Sequence, residues 1–193
     1  MLRIILIHPG ATDFDEQRLI KGSLSIQLNA NGAEQAAHTA TALAGHDIDC
    51  INVGPCQSAH QTAEALLQER SIKIKTLDKL KNLDHGLWHG KTIDEVRQHQ
   101  PKVYRQWQDH PEQVCPPDGE SVMSAQLRVR ATLVKLLKKH KSGTIAIIVP
   151  NPLVTVLRSE IKRSDVGDLW KSEQDYGSWE LLEVEPEKVA LSS

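Results

Sequence analysis

The chain has 193 residues, with 23 Lys and Arg against 25 Asp and Glu for a net charge of -2, and 39% of its residues are hydrophobic. That length is enough to bury one core, so a single domain over residues 1–193 is expected, and the balanced charge gives no electrostatic reason to expect nucleic acid or a membrane surface as partner. Cys50, Cys56 and Cys115 are an odd, widely spaced set with no Cys-x-x-Cys pair or Cys/His ligand spacing, which argues against a disulfide framework, points to no metal or other cofactor and suggests a reducing cytoplasm.

Leu2 to Ile7 is apolar but stops at His8 and Pro9, too short for a signal-peptide core or a bilayer span, and reads as a buried strand. Asn31 to Leu43 has apolar and Ala positions at helical spacing, with Asn29 or Asn31 placed to cap it. Ile51 to Val53 reads as a short strand, Gly54-Pro55 as a break, Ser58 to Glu69 as a helix and Ile72 to Lys75 as an alternating strand. Leu83 to Val114 is rich in His, Gly, Trp and Gln and is broken by Pro101 and Pro111, so short helices capping the sheet are expected there. Glu120 to His140 is the longest helix candidate, with Leu127, Val129, Leu133, Leu136 and Leu137 as its buried stripe. The cations from Lys135 to Lys141 close that helix before Gly143 and suit its dipole. Thr144 to Val149 is a continuous apolar strand of the kind a covered parallel sheet needs, and Trp179 to Val184 reads as an edge strand. The alternation predicts an α/β fold.

Six separated motifs carry a resemblance. His8-Pro9-Gly10-Ala11-Thr12 follows the first strand. Leu28-Asn29-Ala30-Asn31-Gly32-Ala33-Glu34-Gln35-Ala36 opens the first long helix. Gly54-Pro55-Cys56-Gln57-Ser58-Ala59-His60-Gln61-Thr62-Ala63-Glu64 opens the next. Leu80 to Gly90 and Pro117-Asp118-Gly119-Glu120-Ser121 follow, and Val149-Pro150-Asn151-Pro152 ends the apolar strand. In this order and spacing they are similar to the histidine phosphatase superfamily, branch 1, whose corresponding runs include Arg-His-Gly-Glu-Thr, Ser-Pro-x-x-Arg-Ala-x-Gln-Thr-Ala-Glu and Val-Ser-His-Gly. The resemblance implies a phosphoglycerate mutase-like, three-layer α/β/α sandwich with a mainly parallel sheet.

The positions that fail to match are the chemical ones. Carried over by motif, the family's first arginine is His8, its phosphorylated histidine is Pro9, its second arginine is Ser58, its general acid is Asn82 and its second histidine is Asn151. A proline nitrogen within a chain is an amide with no lone pair for phosphorus, and serine and asparagine offer neither fixed positive charge nor an acidic proton at neutral pH. Phosphoryl transfer needs both. Losing a nucleophile alone costs roughly 10⁴- to 10⁶-fold in turnover. The expectation is a pseudoenzyme that has kept the fold, lost the reaction, and acts by binding an unidentified protein partner or small ligand. A third reading is a purely structural homo-oligomer with no ligand at all.

Residues that keep some chemical ability are His8, which when protonated would hold an anion or serve as a displaced nucleophile, and Gly10 and Thr12, which with Ser58 and Asn151 would line any remaining ligand site. The plain readings are a histidine left at a strand end, a turn glycine and a capping threonine. His85 and His89 are four apart, but Gly86 and Gly90 argue against a helical metal pair and for a solvated loop. His60 reads as a packed or solvated helix flank. Glu120 and Ser121 also read as the polar start of a helix. Trp88, Trp107, Trp170 and Trp179 suit core or lid packing. Pro150 and Pro152 remove two amide donors beside Asn151 and stiffen that loop. The rival reading is a hydrolase rebuilt from His8, His60, His85 or His89, with or without a metal. It requires at least three of those side chains in one cleft at the carboxyl ends of the strands.

Overall fold

A computed structural model describes residues 1–68, 70–169 and 175–185. Strands β1 (Leu2–Ile7), β2 (Cys50–Val53), β3 (Lys73–Thr76), β4 (Gly143–Ile148) and β5 (Trp179–Val184) form one sheet in the order β3-β2-β4-β1-β5. The first four run parallel, and β5 pairs antiparallel with β1 at one edge. The period of two along a strand sends alternate side chains to opposite layers. Leu2, Ile4 and Leu6 of β1, with Ile145 and Ile147 of β4, enter one core, and Ile5 and Ile7, with Ala146 and Ile148, enter the other. Apolar side chains are therefore needed on both faces, which is why β1 and β4 read as unbroken apolar runs.

The helices are α1 (Asp13–Glu16), α2 (Ala30–Ala42), α3 (Gln57–Leu67), α4 (Ile93–His99), α5 (Pro101–Asp109), α6 (Val122–Lys139) and α7 (Leu153–Lys162). Ala40 and Leu43 at the end of α2, with Ala59, Ala63 and Leu66 of α3, cover the Ile5 face, and α6 and α7 cover the Ile4 face through Val129, Leu133, Leu153 and Leu157. This is the expected α/β sandwich. Asn29, and not Asn31, caps α2: its side chain accepts from Gly32 N at 2.8 Å. Ser121 caps α6, accepting from Ser124 N at 3.1 Å. Lys138 and Lys139 lie in the last turn of α6 as the dipole favours. The segment from Leu83 to Val114 forms α4, α5 and two single 3-10 turns, Gly86–Trp88 and Pro111–Gln113.

One expectation changes here and one element is new. Leu127 is 63% exposed, because it lies about 120° to 180° around α6 from Ala125, Val129, Leu133 and Leu136. The helix α7, directly after the Pro150-Asn151-Pro152 run, was not foreshadowed by the sequence pattern. Its buried Leu153, Val154, Val156 and Leu157 fall at helical spacing, but the run Val154-Thr155-Val156 is β-branched and suits a strand by composition.

Candidate functional site

The loop that leaves β1 is held against the start of α2 by backbone contact. A Cβ on Gly10 would stand 2.1 Å from Gly32 O, and one on Gly32 would stand 2.0 Å from Ala11 O, so both positions require glycine. The amides of this loop are all engaged inside the protein. Gly10 N donates to Thr62 Oγ1 at 3.2 Å, Ala11 N to Gln35 Oε1 at 2.9 Å and Thr12 N to Asp15 Oδ2 at 2.8 Å. Pro9 has no N–H to offer. The Thr12 hydroxyl also donates to Asp15, at 2.8 Å. A loop of this shape cradles an anion only with its N–H groups free and converging. Here they close on side chains.

Above the loop is a cavity of about 10 Å³ lined by His8, Asp15, Leu19, Lys21, Asn151 and Tyr176. That is room for about one water molecule and not for a phosphoryl group. Lys21 is 9% exposed and places its ammonium 2.7 and 2.6 Å from the two oxygens of Asp15, so the lysine in the cavity wall is neutralised by a buried carboxylate. The same ammonium lies 5.5 Å from the centre of the Tyr176 ring. Tyr176 packs on His8, ring centres 5.0 Å apart, and Gly177 N donates to the carbonyls of His8 and Pro9 at 3.1 Å. The Asp175–Ser178 turn therefore seats over the end of β1.

His8 is 2% exposed. Its Nδ1 lies 2.9 Å from Asp175 O, and because a carbonyl only accepts, Nδ1 carries the proton. Its Nε2 is then a bare lone pair, buried and without a hydrogen bond among the described residues. Burial, reinforced by the nearby Lys21 charge, lowers its pKa to about 4, so the ring is neutral at physiological pH. Asn151 reaches the same space, with Nδ2 at 3.5 Å from His8 Nδ1 and Oδ1 accepting from Thr155 Oγ1 at 3.4 Å.

Of the remaining altered positions, Asn82 acts as a clamp. Its Nδ2 donates to Gly22 O at 2.9 Å and to Asn151 O at 2.7 Å, while its Oδ1 accepts from Leu153 N at 3.2 Å, tying three loops together. The segment carrying Asn82 is held in turn by Arg128, which donates to the Lys79 and Asn82 carbonyls and pairs with Glu120 at 2.7 Å. Ser58 is buried in the first turn of α3, behind Gly10 through Thr62, whose hydroxyl donates to Ser58 O. It does not line the cavity.

The other histidines do not converge with His8. His60 contacts Thr76 Oγ1 at 3.2 Å at the β3 edge. His85 is 2% exposed and not a solvated loop residue: it packs against Trp107 and Trp88, ring centres 5.5 and 6.4 Å away. Burial lowers its pKa to about 4 as well. It stands beside His89 behind the wall formed by Gly22, where a Cβ would meet both rings. Trp88 and Trp107 are core residues, Trp179 is 37% exposed, and Trp170 lies outside the described residues. Among the described residues no group of three His, Cys, Asp or Glu side chains could hold a metal ion, and no helix is long and apolar enough to cross a membrane. All three cysteines are free thiols.

Asp15, Lys21 and Tyr176 are site residues that the motifs do not single out. Lys21 lies between the first two motifs and Tyr176 comes from the far end of the chain, so neither carries a sequence signal. Comparison with known proteins accords with this frame. Phosphoserine phosphatase 1 of Hydrogenobacter thermophilus is 23% identical over 191 residues, 99% of this chain and 90% of that protein. The adenosylcobalamin/alpha-ribazole phosphatase of Escherichia coli is 22% identical over 190 residues, 98% of this chain and 94% of that protein. Among solved structures, Bacillus stearothermophilus YhfR superposes with a TM-score of 0.85 at 24% identity, covering 95% of this chain and 92% of that one. The model of the histidine phosphatase superfamily (branch 1) matches residues 4–193, and the chain belongs to that family.

Proposed function

We propose that this chain is a histidine phosphatase relative that no longer transfers phosphoryl groups and that acts by binding, as a single domain in a reducing cytoplasm, a protein partner or a small ligand. The observation that carries the reading is the inherited cleft itself: about 10 Å³ of space, a lysine already paired with Asp15, and proline at the nucleophile position. A phosphoryl group there would meet neither the volume nor the unpaired cations that its transfer requires. Two of the proteins named above are named as phosphatases, yet a shared frame does not carry their chemistry, since function resides in the site and not the fold.

One observation favours a second reading. His8 Nε2 is an unprotonated lone pair whose ring is oriented by Nδ1–H to a carbonyl, the arrangement a histidine nucleophile needs. Opening of the Tyr176 turn would be required before any substrate could reach it. The two readings separate on incubation with p-nitrophenyl phosphate and with sugar phosphates at several pH values. The expected outcome is no release of phosphate above that of the His8→Ala variant and no N-linked phosphate adduct by mass spectrometry. Turnover abolished by His8→Ala would establish the second reading; turnover that survives it would overturn both.

A further inference from the structure

The strand β3 is one edge of the sheet, and among the described residues it pairs with β2 alone. Leu77 N donates to Val53 O at 2.9 Å. Backbone groups alternate along a strand, so those of Lys73 and Lys75 also turn to β2 and those of Ile74 and Thr76 turn outward. An outward N–H and C=O at every second residue is a template for one more strand. Side chains alternate too. Lys73 and Lys75 stand across from Cys50 and Asn52 and share their face, over which the end of α6 brings His140, its Nε2 3.9 Å from Cys50 Sγ. Ile72 and Ile74 lie on the other face, partly buried against the core that contains Ile5.

The charge on this edge is unbalanced. Lys73, Lys75 and Lys139 have no ion pair among the described residues. The Lys75 ammonium beside Lys139 holds the Lys139 pKa below the usual lysine range, and Lys73 adds to the effect. Asp49, which acts on His140, is already engaged, accepting from Thr144 N at 2.8 Å. A lysine on an edge strand deters pairing with strands in general. Three lysines crowded on one face with no carboxylate among them exceed that need, since each repels the others, and a strand of opposite charge relieves the repulsion.

We propose that the β3 edge docks an extended acidic segment of a partner protein. The segment's backbone pairs with Ile74 and Thr76, its Asp or Glu side chains at alternate positions lie against Lys73, Lys75 and Lys139, and the apolar residues between them cover Ile74. This gives the proposed binding role a surface and rests on that reading for its purpose alone: phosphate release in the assays above would leave the titration below unaffected, and a failed titration would leave the loss of transfer standing. The full chain, labelled with ¹⁵N, is titrated with a short peptide alternating Glu and Val, with the same peptide carrying Lys for Glu, with one carrying Pro for Val, and with a short oligothymidylate as a polyanion. The expected result is saturable binding of the Glu-Val peptide, with amide shifts at residues 72–77 and weakening on added salt, and no comparable binding of the other three probes. The double variant Lys73→Glu, Lys75→Glu should weaken that binding by about tenfold or more. Lys139→Gln, at an exposed position in the last turn of α6, should weaken it in the same direction and keeps the test valid even where the double variant fails to fold. Absence of saturable binding at about millimolar peptide, equal binding of the Pro-containing peptide or of oligothymidylate, or unchanged binding in the lysine variants would overturn the proposal. So would a wild-type dimer, seen by light scattering, that the double variant breaks, since a second copy would then cover β3.

Discussion

His8 and His85 are both held neutral by burial, and this couples the fold to pH. In the folded chain each protonates only near pH 4, whereas an unperturbed imidazole does so at 6.5. Below 6.5 the unfolded state therefore binds the additional protons, and stability that is fully present above that value is lost as pH falls toward 4. The loss is on the order of 3 kcal/mol for each ring across that window. Carboxylates contribute to the same acid limb, so the readout is a difference: urea midpoints of the wild type and of His85→Phe, compared between about pH 7 and about pH 4.5. The wild type should lose more stability than the variant, and parallel curves would show that the ring carries no such burden. At this scale the sequence is informative where local chemistry fixes a role, as where an asparagine side chain caps α2, and uninformative where contact decides. His85 reads as loop until two tryptophans that share its segment are seen to close over it.

Helix α6 shows how the same logic works along an element. Its ends were legible because capping and dipole signals are local: Ser121 at the start and Lys138 and Lys139 at the close. Which leucines enter the core depends on the angle each makes around the axis, and Leu127 and Leu133, alike as residues, lie on different faces. Leu133→Ala removes a side chain packed between sheet and α7 and should cost about 2 to 5 kcal/mol, while Leu127→Ala should change stability by no more than about 0.5 kcal/mol. Urea unfolding of the two variants checks both values, and comparable losses would mean that Leu127 is covered in solution. The unforeseen α7 marks the limit of such local reading: Leu153 to Leu157 would suit a strand by composition, and only packing on α6 and the clamp of Asn82 on Leu153 N select the helix.

Across the whole molecule, the cleft is closed by groups that are remote in sequence. His8 and Asp15 come from the first loop, Lys21 from the next, Asn151 from the loop after β4, and Tyr176 from the turn before β5. The parallel sheet brings these loops to one end; of the positions carried over by motif, His8 and Asn151 line the cavity, and the motifs leave its volume undetermined. The proposed reading rests on two separate losses, one of reacting groups and one of space, and they can be tested separately. A variant carrying Pro9→His, Ser58→Arg and Asn151→His restores the family's letters at three positions but leaves Tyr176 on His8 and Lys21 on Asp15. It should not bind vanadate detectably at about millimolar concentration, because no tetrahedral or trigonal oxyanion fits a space suited to one water. Adding Tyr176→Ala removes the ring that roofs the cavity and should produce measurable vanadate binding in that background. Tight binding by the triple variant with Tyr176 in place would mean that the turn opens readily in solution, so that the proposed loss would rest on the missing side chains alone and not on the filled volume.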